Sequence, residues 1–338
     1  MNIPPVVSIC IANYNGESFI AECLDAVLRQ EDAPAYEIIV HDDASTDGSV
    51  AFIRERYPSV TLIESDRNVG FCVANNRMAA RARGRFLLLL NNDATLFPDA
   101  VRTLAGEAER IGSPAILSLP QYDAATGQLI DMGCLLDPFL NPIPNLYPGR
   151  RNVGMVIGAC LWLPKALWDT LGGFPEWFGS IGEDLYLCCR ARLGGHPVIA
   201  LARSGYRHRV GASFGGGKPS FNRLATTKSR RSLSERNKSY VICMTYPGAW
   251  LALLLPIHAL TLLLEGIVLS AIHRDLSLLT DIYLAALRAL PGQSGTLRAM
   301  RTQIQSGRRA SAAAFFSAFT PFPHKLRLLF RHGIPRIR

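Results

Sequence analysis

Residues 38–48 have the sequence IIVHDDASTDG, and residues 86–93 have the sequence FLLLLNND. In each stretch, an apolar run ends at carboxylate and amide side chains. Continuous apolar runs of this kind, bounded by polar turn residues, are typical of strands buried on both faces of a parallel sheet. Ligands of such sheets bind beyond the carboxyl ends of the strands. The two stretches therefore predict an α/β fold with carboxylates at the ligand-binding edge of its sheet.

The segments around these stretches repeat a pattern of strand, turn and helix. Residues 6–12 predict a first buried strand, and residues 18–30 carry apolar side chains at helical spacing. The pattern recurs from residues 37 and 60, which predicts a right-handed, mostly parallel sheet flanked by helices. Residues 113–154 are rich in Pro, Asn, Asp and Gly and predict loops with short hairpin strands. Further strands are predicted at 156–163 and 198–202, with a helix at 183–193.

The charge changes sign along the chain. Residues 1–202 contain 15 Lys and Arg against 23 Asp and Glu, whereas residues 203–338 contain 21 against 4. The basic residues of the second part alternate with Leu, Ala and Ile runs rather than with aromatic stacking positions. This composition favours an anionic membrane surface over nucleic acid as a partner.

The C-terminal part is predicted to be helical, basic and apolar. Residues 249–264 and 267–272 are almost wholly apolar, with Pro256, His258 and Glu265 as interruptions. A tilted or broken membrane span, a re-entrant pair, an in-plane helix and a buried soluble helix pair are all compatible with this pattern. A further helix at 276–290 and a basic amphipathic tail at 325–331 favour contact with a membrane surface. We therefore predict two domains, a catalytic domain over 1–222 and a membrane-associating helical region over 223–338.

Taken in order, these segments resemble the family 2 glycosyltransferases of the A-type (GT-A) fold, particularly the bacterial branch that contains rhamnosyltransferases. The resemblance covers roughly the first two thirds of the chain, and it lies in the joint order of the motifs rather than in any one of them. The motifs are VSICIANYNG at 7–16, DDASTDGS at 42–49, NVGF at 68–71, LNNDA at 90–94, GAC at 158–160, GGF at 172–174, EDLYLCCRAR at 183–192, His208 and Arg236-Asn237.

The resemblance implies a set of residues that bind a nucleotide sugar. Asp42 would accept a hydrogen bond from the imide of a uracil or thymine base, which suits a carboxylate that reads an N–H donor. Asn13 and Tyr14 would line the same base pocket, and Asp43 stands where the family more often has Asn. Asn68 and Gly70 belong to a turn expected to lie against the nucleoside, and Asn92 is assigned to the same donor site.

The resemblance also implies a metal site and a catalytic base. Asp93 occupies the metal-binding acidic position of the fold and His208 matches a histidine that contacts the metal or the diphosphate. With a single carboxylate there, Mg²⁺ or Mn²⁺ would be held by Asp93, the diphosphate and water. Asp184 is the expected catalytic base, and Glu183 is the alternative for that role. A cap at the start of the helix remains a second explanation for Asp184.

These expectations amount to an inverting, metal-dependent glycosyltransferase. It would move a sugar, with rhamnose as the leading choice, from a pyrimidine nucleotide diphosphate to a hydroxyl of a bacterial, lipid-linked surface glycan. The expected location is the cytoplasmic face of the inner membrane, and the glycine-dense loop 211–218 would close over the donor or act as a solvated linker. Transfer to a polyprenyl phosphate, and a catalytically silent membrane scaffold with the same fold, are the alternatives.

Overall fold

The structure is a computed structural model that describes residues 4–209, 211, 216–220 and 223–337. Its strands are β1 (Val7–Asn13), β2 (Tyr36–Asp42), β3 (Thr61–Glu64), β4 (Phe86–Asn91), β5 (Ala94–Leu96), β6 (Ile116–Ser118), β7 (Gln121–Asp123), β8 (Leu129–Asp131), β9 (Cys134–Leu136), β10 (Pro142–Pro144), β11 (Cys160–Pro164), β12 (Val198–Ala200), β13 (Tyr206–His208), β14 (Gly216–Ser220), β15 (Arg223–Thr226) and β16 (Arg336–Ile337). Its α-helices are α1 (Ile20–Leu28), α2 (Ser49–Arg56), α3 (Phe71–Arg81), α4 (Ala100–Ile111), α5 (Lys165–Leu171), α6 (Glu183–Leu193), α7 (Lys228–Thr245), α8 (Gly248–His273), α9 (Ala285–Gly292), α10 (Ser294–Ser306), α11 (Ala312–Phe316) and α12 (His324–His332). A 3-10 turn covers Glu176–Phe178, and Leu278–Leu284 is π-helical.

The chain divides into two compact units. Unit 1 comprises residues 1–134, 144–191 and 196–209, and unit 2 comprises 135–143, 192–195 and 210–338. The second unit thus takes two short segments from within the first part of the chain. The boundary at 222 remains a prediction, and residues 212–215 of the glycine-dense loop lie outside the described residues.

Unit 1 is built on a seven-stranded sheet with the strand order β12, β6, β11, β4, β1, β2, β3. The central pairs β1 with β2, β1 with β4, and β2 with β3 are parallel, whereas β11 is antiparallel to β4 and β6. The mostly parallel α/β sheet is confirmed, with β11 as its reversed strand. The strand predicted from residue 156 begins only at Cys160, because Met155 pairs with Cys134 and residues 158–159 form a turn before the strand.

The core of unit 1 follows from the apolar runs. Residues 87–89 of β4 are fully buried, and so are Ile9 and Ile11 of β1. Side chains alternate between the two faces of a strand, so a run that is apolar at every position must be covered on both faces. Burial of a Leu or Ile side chain stabilises a fold by about 1.5–3 kcal/mol, which makes this central sheet the most stable part of unit 1.

A four-stranded sheet adds a second layer of strands to unit 1, in the order β5, β13, β7, β8. β13 pairs antiparallel with β5, so that His208 lies opposite Ala94. This pairing brings residues more than 100 positions apart to the end of β4. The short hairpin strands predicted for 113–154 are present as the pairs β7 with β8 and β9 with β10, whereas β6 belongs to the seven-stranded sheet.

Unit 2 is mostly helical. The apolar stretch from 248 forms one continuous helix, α8, which Pro256 and Glu265 do not break. Among the described residues, α8 is the one helix long and apolar enough to cross a membrane, and only 17% of its most apolar window is buried. The stretch is thus one continuous helix rather than a re-entrant pair, and most of its apolar window is not buried within the described part of the chain.

Candidate active site

The ends of the central strands bring the predicted donor residues together. Asn13 closes β1 and lies opposite Asp42, which closes β2. Asn91 closes β4, the other neighbour of β1, and residues 92–93 follow it. Because β11 runs the opposite way, it is the start of this strand that lies at the same edge, where the Asn91 N–H donates to Ala159 O over 3.1 Å. The carboxyl edge of the sheet therefore gathers residues from four strands.

Asp42 and Asn13 form a buried hydrogen-bond network at this edge. The Asn13 amide donates to Asp42 Oδ2 at 2.8 Å, and Asn92 Nδ2 donates to Asn13 Oδ1 at 2.8 Å. Ser45 donates to both oxygens of Asp42, through its N–H to Oδ1 and its hydroxyl to Oδ2. A Cβ at Gly16 would collide with the Asn13 and Asn92 side chains, so this position requires glycine. The network fixes Asp42 and uses part of its acceptor capacity, since a carboxylate has about four acceptor positions.

Tyr14 and Asn68 are placed differently from these buried residues. Tyr14 is the next residue in the sequence after Asn13 of this network, and its side chain is 52% exposed. Asn68 is exposed in the turn after β3. A ring exposed beside a buried carboxylate is suited to stacking on a base, which is the arrangement that the resemblance implies for Tyr14.

Asp43 has a role that the sequence did not reveal. Its two carboxylate oxygens accept from two consecutive backbone N–H groups, Val69 at 2.6 Å and Gly70 at 2.8 Å. Gly70 has a φ of 87°, a conformation that residues with a Cβ rarely adopt. Asp43 therefore holds the turn at 68–70 in place. The only signal in the sequence was a carboxylate next to Asp42, which could not indicate a partner 26 residues away.

Asp93 and His208 face each other as two metal-type ligands. Asp93 Oδ1 lies 3.1 Å from His208 Nε2, and both side chains are buried. Within the described part of the chain, neither Asp93 Oδ1 nor His208 Nδ1 has a well-formed hydrogen bond. Buried polar atoms are normally paired, but Nδ1 is the ring nitrogen that does not face Asp93, so only Asp93 Oδ1 bears on a ligand between the two side chains. Neighbouring ligands of an octahedral ion with bonds of about 2.1 Å are about 3 Å apart, so the pair fits a divalent cation.

The pair is held by the second sheet. The Arg209 N–H donates to Asp93 O at 3.1 Å, next to the pairing of His208 with Ala94. No group of three or more His, Cys, Asp or Glu with metal-site geometry occurs among the described residues. An ion at this position would thus need oxygen atoms from a ligand and from water, as magnesium sites often do.

Asp184 and Glu183 begin α6. Asp184 is half-buried, and its Oδ2 accepts the Gly158 N–H at 3.1 Å. Gly158 lies two residues before β11, so this bond ties Asp184 to the reversed strand and to the same edge of the sheet. Glu183 is 7% exposed. A general base must reach the proton that it removes, which favours the more accessible Asp184 over Glu183.

Asp131 is a further carboxylate that the sequence analysis did not single out. It closes β8, is 4% exposed and accepts the Gly133 N–H at 2.9 Å. Burial raises the pKa of Asp131 to about 7, and the Gly133 N–H and the charge of His208 oppose that rise. In the sequence, the two apolar residues before Asp131 and the glycine two positions after it were the signals of a buried strand end.

Comparison with known proteins agrees with this arrangement. Residues 8–160 match the model of the family described as glycosyl transferase family 2. The O-antigen biosynthesis protein RfbC of Myxococcus xanthus is 27% identical over 224 residues, which are 62% of this chain and 18% of that protein. The succinoglycan biosynthesis protein ExoO of Rhizobium meliloti is 34% identical over 110 residues, which are 32% of this chain and 31% of that protein. The matches thus span less than a third of the length of these relatives.

Solved structures share the fold at low sequence identity. Residues 1–349 of TarS from S. aureus give a TM-score of 0.53 at 16% identity, and the match covers 88% of each chain. The mannosyltransferase PcManGT of Pyrobaculum calidifontis, solved with GDP-Man and Mn²⁺, gives 0.51 at 17% identity, covering 94% of this chain and 86% of that one. Residues 8–160 therefore form a glycosyl transferase family 2 domain, and the chain carries it on the GT-A-type fold of glycosyltransferases.

Proposed function

We propose that this chain is an inverting, metal-dependent glycosyltransferase that uses a pyrimidine nucleotide diphosphate sugar. The observation that carries the proposal is the convergence at one sheet edge of the Asp93 and His208 pair, the Asp42 network and Asp184. These groups are what transfer from a nucleotide sugar requires, namely a site for the base, a site for the cation with the diphosphate, and a base for the acceptor.

The donor nucleoside would bind at Tyr14 and Asp42. Tyr14 offers an exposed ring for stacking, and Asp42 Oδ1 accepts from the Ser45 N–H, which leaves acceptor capacity for an imide N–H. The turn at Asn68 and Gly70, fixed by Asp43, would bound the nucleoside. TarS of S. aureus has been solved with UDP and with UDP-GlcNAc, which supports a pyrimidine donor, whereas PcManGT was solved with GDP-Man.

Asp93 and His208 would hold the cation, as Mg²⁺ or Mn²⁺. The bound ion would offset the negative charge of the diphosphate. GalNAc-T7, which was solved with Mn²⁺, and PcManGT support a divalent ion for this fold. Asp93 is 6% and His208 8% exposed, so the pair works in an environment of low dielectric where charge interactions are strong.

Asp184 would act as the base. The acceptor oxygen attacks the anomeric carbon as its proton passes to Asp184, and the bond from that carbon to the diphosphate oxygen breaks with its electron pair on the diphosphate. Attack opposite to the leaving group inverts the anomeric configuration. The Gly158 N–H bond to Oδ2 orients this carboxylate.

The acceptor and the location follow from the relatives and from unit 2. RfbC and ExoO are named for the biosynthesis of O-antigen and succinoglycan, which supports a bacterial surface glycan as product. We propose rhamnose, from its thymidine diphosphate form, as the sugar. The acceptor would be lipid-linked, and the enzyme would work at the cytoplasmic face of the inner membrane.

The test is a binding and turnover screen of the purified chain with uridine, thymidine and guanosine diphosphate sugars, with Mg²⁺, Mn²⁺ or chelator. We expect one pyrimidine nucleotide sugar to raise the melting temperature in a metal-dependent way. At a free concentration of about 100 times its Kd, a ligand stabilises the folded state by about 2.7 kcal/mol. Tyr14→Ala should weaken the binding of this donor, whereas Glu55→Gln, which changes an exposed side chain of α2, should not.

The catalytic assignment has its own variant. Asp184→Asn should lower kcat by about 10²–10⁴-fold while donor binding stays unchanged, because a general base contributes about that factor. Unchanged turnover in this variant would move the role to Glu183. Stabilisation by no nucleotide sugar at all would contradict the enzyme and favour the silent scaffold, and release of the product by mild acid would indicate a polyprenyl phosphate acceptor.

A further inference from the structure

The long helix α8 exposes an apolar stripe along its whole length. Apart from the adjacent pair Ile267 and Val268, the exposed positions follow one another at intervals of three or four residues, which places them on one side of a helix. Their exposed fractions run from 41% to 56%. They are Trp250, Leu253, Ile257, Leu260, Leu264, Ile267, Val268 and Ile272. A contiguous apolar surface on this scale marks a site of interaction with another apolar phase.

The opposite side of α8 is packed within unit 2. Leu262 and Leu269 form a core cluster with residues of the π-helical segment, and a Cβ on Gly266 would meet Tyr283 at 2.9 Å. His258 lies on this packed side, where its Nε2 is 2.9 Å from Ser239 Oγ of α7. One side of α8 therefore packs on other helices of unit 2, and the other side is exposed.

The packed side carries charges that are incompatible with a transmembrane position. Glu265 forms ion pairs with Arg231 of α7 and with Lys325 of α12. The helix α7, which packs on α8, also contains Lys228, Arg230, Arg236 and Lys238. The 26 residues of α8 span about 39 Å, enough for a bilayer. A crossing would take α7 into the hydrocarbon as well, and charged side chains there are costly.

The segment from α12 to Pro335 contacts the C-terminal half of α8 and has exposed apolar side chains of its own. Lys325 Nζ is 2.7 Å from Glu265 Oε2, and His273 Nε2 is 3.0 Å from Pro335 O, so the two segments run side by side in the same direction. The side chains of Leu326 and Leu329 are 45% and 43% exposed, and Phe330 is 82% exposed. Arg327 and Arg331 alternate with these apolar residues in the sequence of α12.

The net charge of residues 210–338 indicates the kind of partner that the exposed apolar surface would bind. Residues 210–338 contain 18 Lys and Arg against 4 Asp and Glu. Exposed apolar side chains in a region this basic suit the boundary between acyl chains and anionic headgroups, because the apolar side chains enter the acyl region and the cations stay at the phosphates. A second copy of the same chain would bring an equally basic surface against this one.

We propose that the exposed face of α8 and α12 docks unit 2 in the plane of an anionic phospholipid bilayer, without crossing it. The proposal deepens the membrane location given above by naming the surface, the mode and the lipid charge. It rests on that proposed location, yet it does not depend on the donor or on the catalytic residues, since docking is measured without a nucleotide sugar.

The first test is flotation of the full chain with vesicles of phosphatidylcholine alone or with about a third phosphatidylglycerol. We expect binding to the anionic vesicles to be at least tenfold tighter and to fall in high salt. The double variant Leu253→Ser and Leu260→Ser, and separately Phe330→Ser, should each weaken it at least tenfold. The matched control is Leu146→Ser with Tyr147→Ser, which changes two exposed apolar residues of unit 1.

The second test distinguishes in-plane docking from crossing. A cysteine is introduced at position 253 or at position 272 and labelled with a fluorophore. The background variant Cys243→Ala removes the cysteine that is not fully buried. We expect a quencher that stays outside the vesicles to quench the fluorophore equally at the two positions. Protection at one of the two positions would overturn in-plane docking. Equal binding by the stripe variants, or a concentration-dependent dimer that the same variants abolish without any vesicle binding, would overturn the membrane as the partner.

Discussion

Buried charges occur in both units of this protein, and they are arranged in opposite ways. At the sheet edge of unit 1, Asp93 and His208 lie together with polar atoms that have no well-formed hydrogen bond within the described residues. In unit 2, Glu235 is 1% exposed and is surrounded by Lys325 at 2.7 Å, Lys238 at 2.9 Å and Arg231 at 3.1 Å. Unpaired atoms do not separate the two groups, because Glu235 Oε2 and Arg231 Nε also have no well-formed hydrogen bond. The first group is incomplete in charge, because His208 is the ion-pair neighbour of Asp93 among the described residues, whereas three cations balance Glu235 in the second group.

This difference separates a binding site from a structural cluster. Although burial raises the pKa of Glu235, the neighbouring cations Lys238, Lys325 and Arg231 hold it well below its usual value. Burial, together with the charges of Lys325 and Arg231, lowers the pKa of Lys238 to about 8, although Glu235 opposes that change. A buried charge is therefore no sign of function by itself, and the informative feature is whether its partners are present in the chain.

The largest expected effect is on the incomplete group. Asp93→Asn should lower kcat/KM at least 10³-fold, about 4 kcal/mol, because it removes the carboxylate that would hold the cation. The free energy of unfolding should stay within about 1 kcal/mol, since no internal ion pair is lost beyond the contact with His208. Steady-state kinetics and urea unfolding measure the two quantities, with Glu55→Gln as the control. A large loss of stability with normal turnover would place Asp93 among the structural charges.

The balanced group should respond in the reverse way. Glu235→Gln should lower the free energy of unfolding by about 3–4 kcal/mol, because buried Lys238 then loses its counter-charge and Arg231 and Lys325 share Glu265 alone. The folded fraction should keep its donor affinity, which a nucleotide titration at low temperature measures. Arg54→Gln, which breaks the exposed ion pair with Glu64, serves as the matched control and should change stability by less than about 1 kcal/mol. Loss of donor binding in folded Glu235→Gln would contradict the purely structural assignment.

The pH dependence of unit 2 gives a third comparison. Burial lowers the pKa of His258 from 6.5 to about 4, with Lys238, Glu235, Lys325 and Asp137 as the charged neighbours. The Ser239 hydroxyl donates to Glu235 O, so His258 Nε2–H must donate to Ser239 and its Nδ1 is unprotonated.

Between pH 6.5 and 4 the unfolded chain binds more protons at this histidine than the folded chain does. Stability is therefore lost as the pH falls through that window, by about 3 kcal/mol at pH 4. His258→Gln should remove this share of the pH dependence in urea unfolding across the window. Identical pH profiles of the variant and the parent would show that other groups cause the acid lability.

Asp43 gives a further comparison, because both oxygens of this buried carboxylate in the site of unit 1 have hydrogen-bond partners within the chain. Asp43→Asn keeps one acceptor for Val69 or Gly70 and loses the other, so it should cost about 1 kcal/mol of stability. The turn at 68–70 should loosen, and the donor KM should rise about fivefold at a nearly constant kcat, a change of about 1 kcal/mol. Asp66→Asn, an exposed change in the same loop, is the control. A fall in kcat instead would indicate contact of Asp43 with the reacting groups.

Most of the site was accessible from the sequence because parallel strands end at a common edge. Asp42, Asp93 and Asn13 each follow an apolar run, and that position alone brings them together once the sheet forms. Asp42 and Asp43 show where this reasoning ends. The two carboxylates are adjacent in sequence, yet one joins the Asn13 network and the other binds the backbone 26 and 27 residues away. Local sequence carries no signal of such partners.

The sequence by itself determined the alternating strands and helices, the carboxylates at the strand ends and the apolar, basic character of the C-terminal part, because these depend on local periodicity and composition. Only the tertiary structure decided the rest. It set His208 beside Asp93 by pairing β13 with β5, and it tied Asp184 to the reversed strand through Gly158. It also balanced Glu235 with Lys325, 90 residues away. These contacts join residues far apart in the chain, and their energies depend on burial and distance, which exist only after the chain has folded.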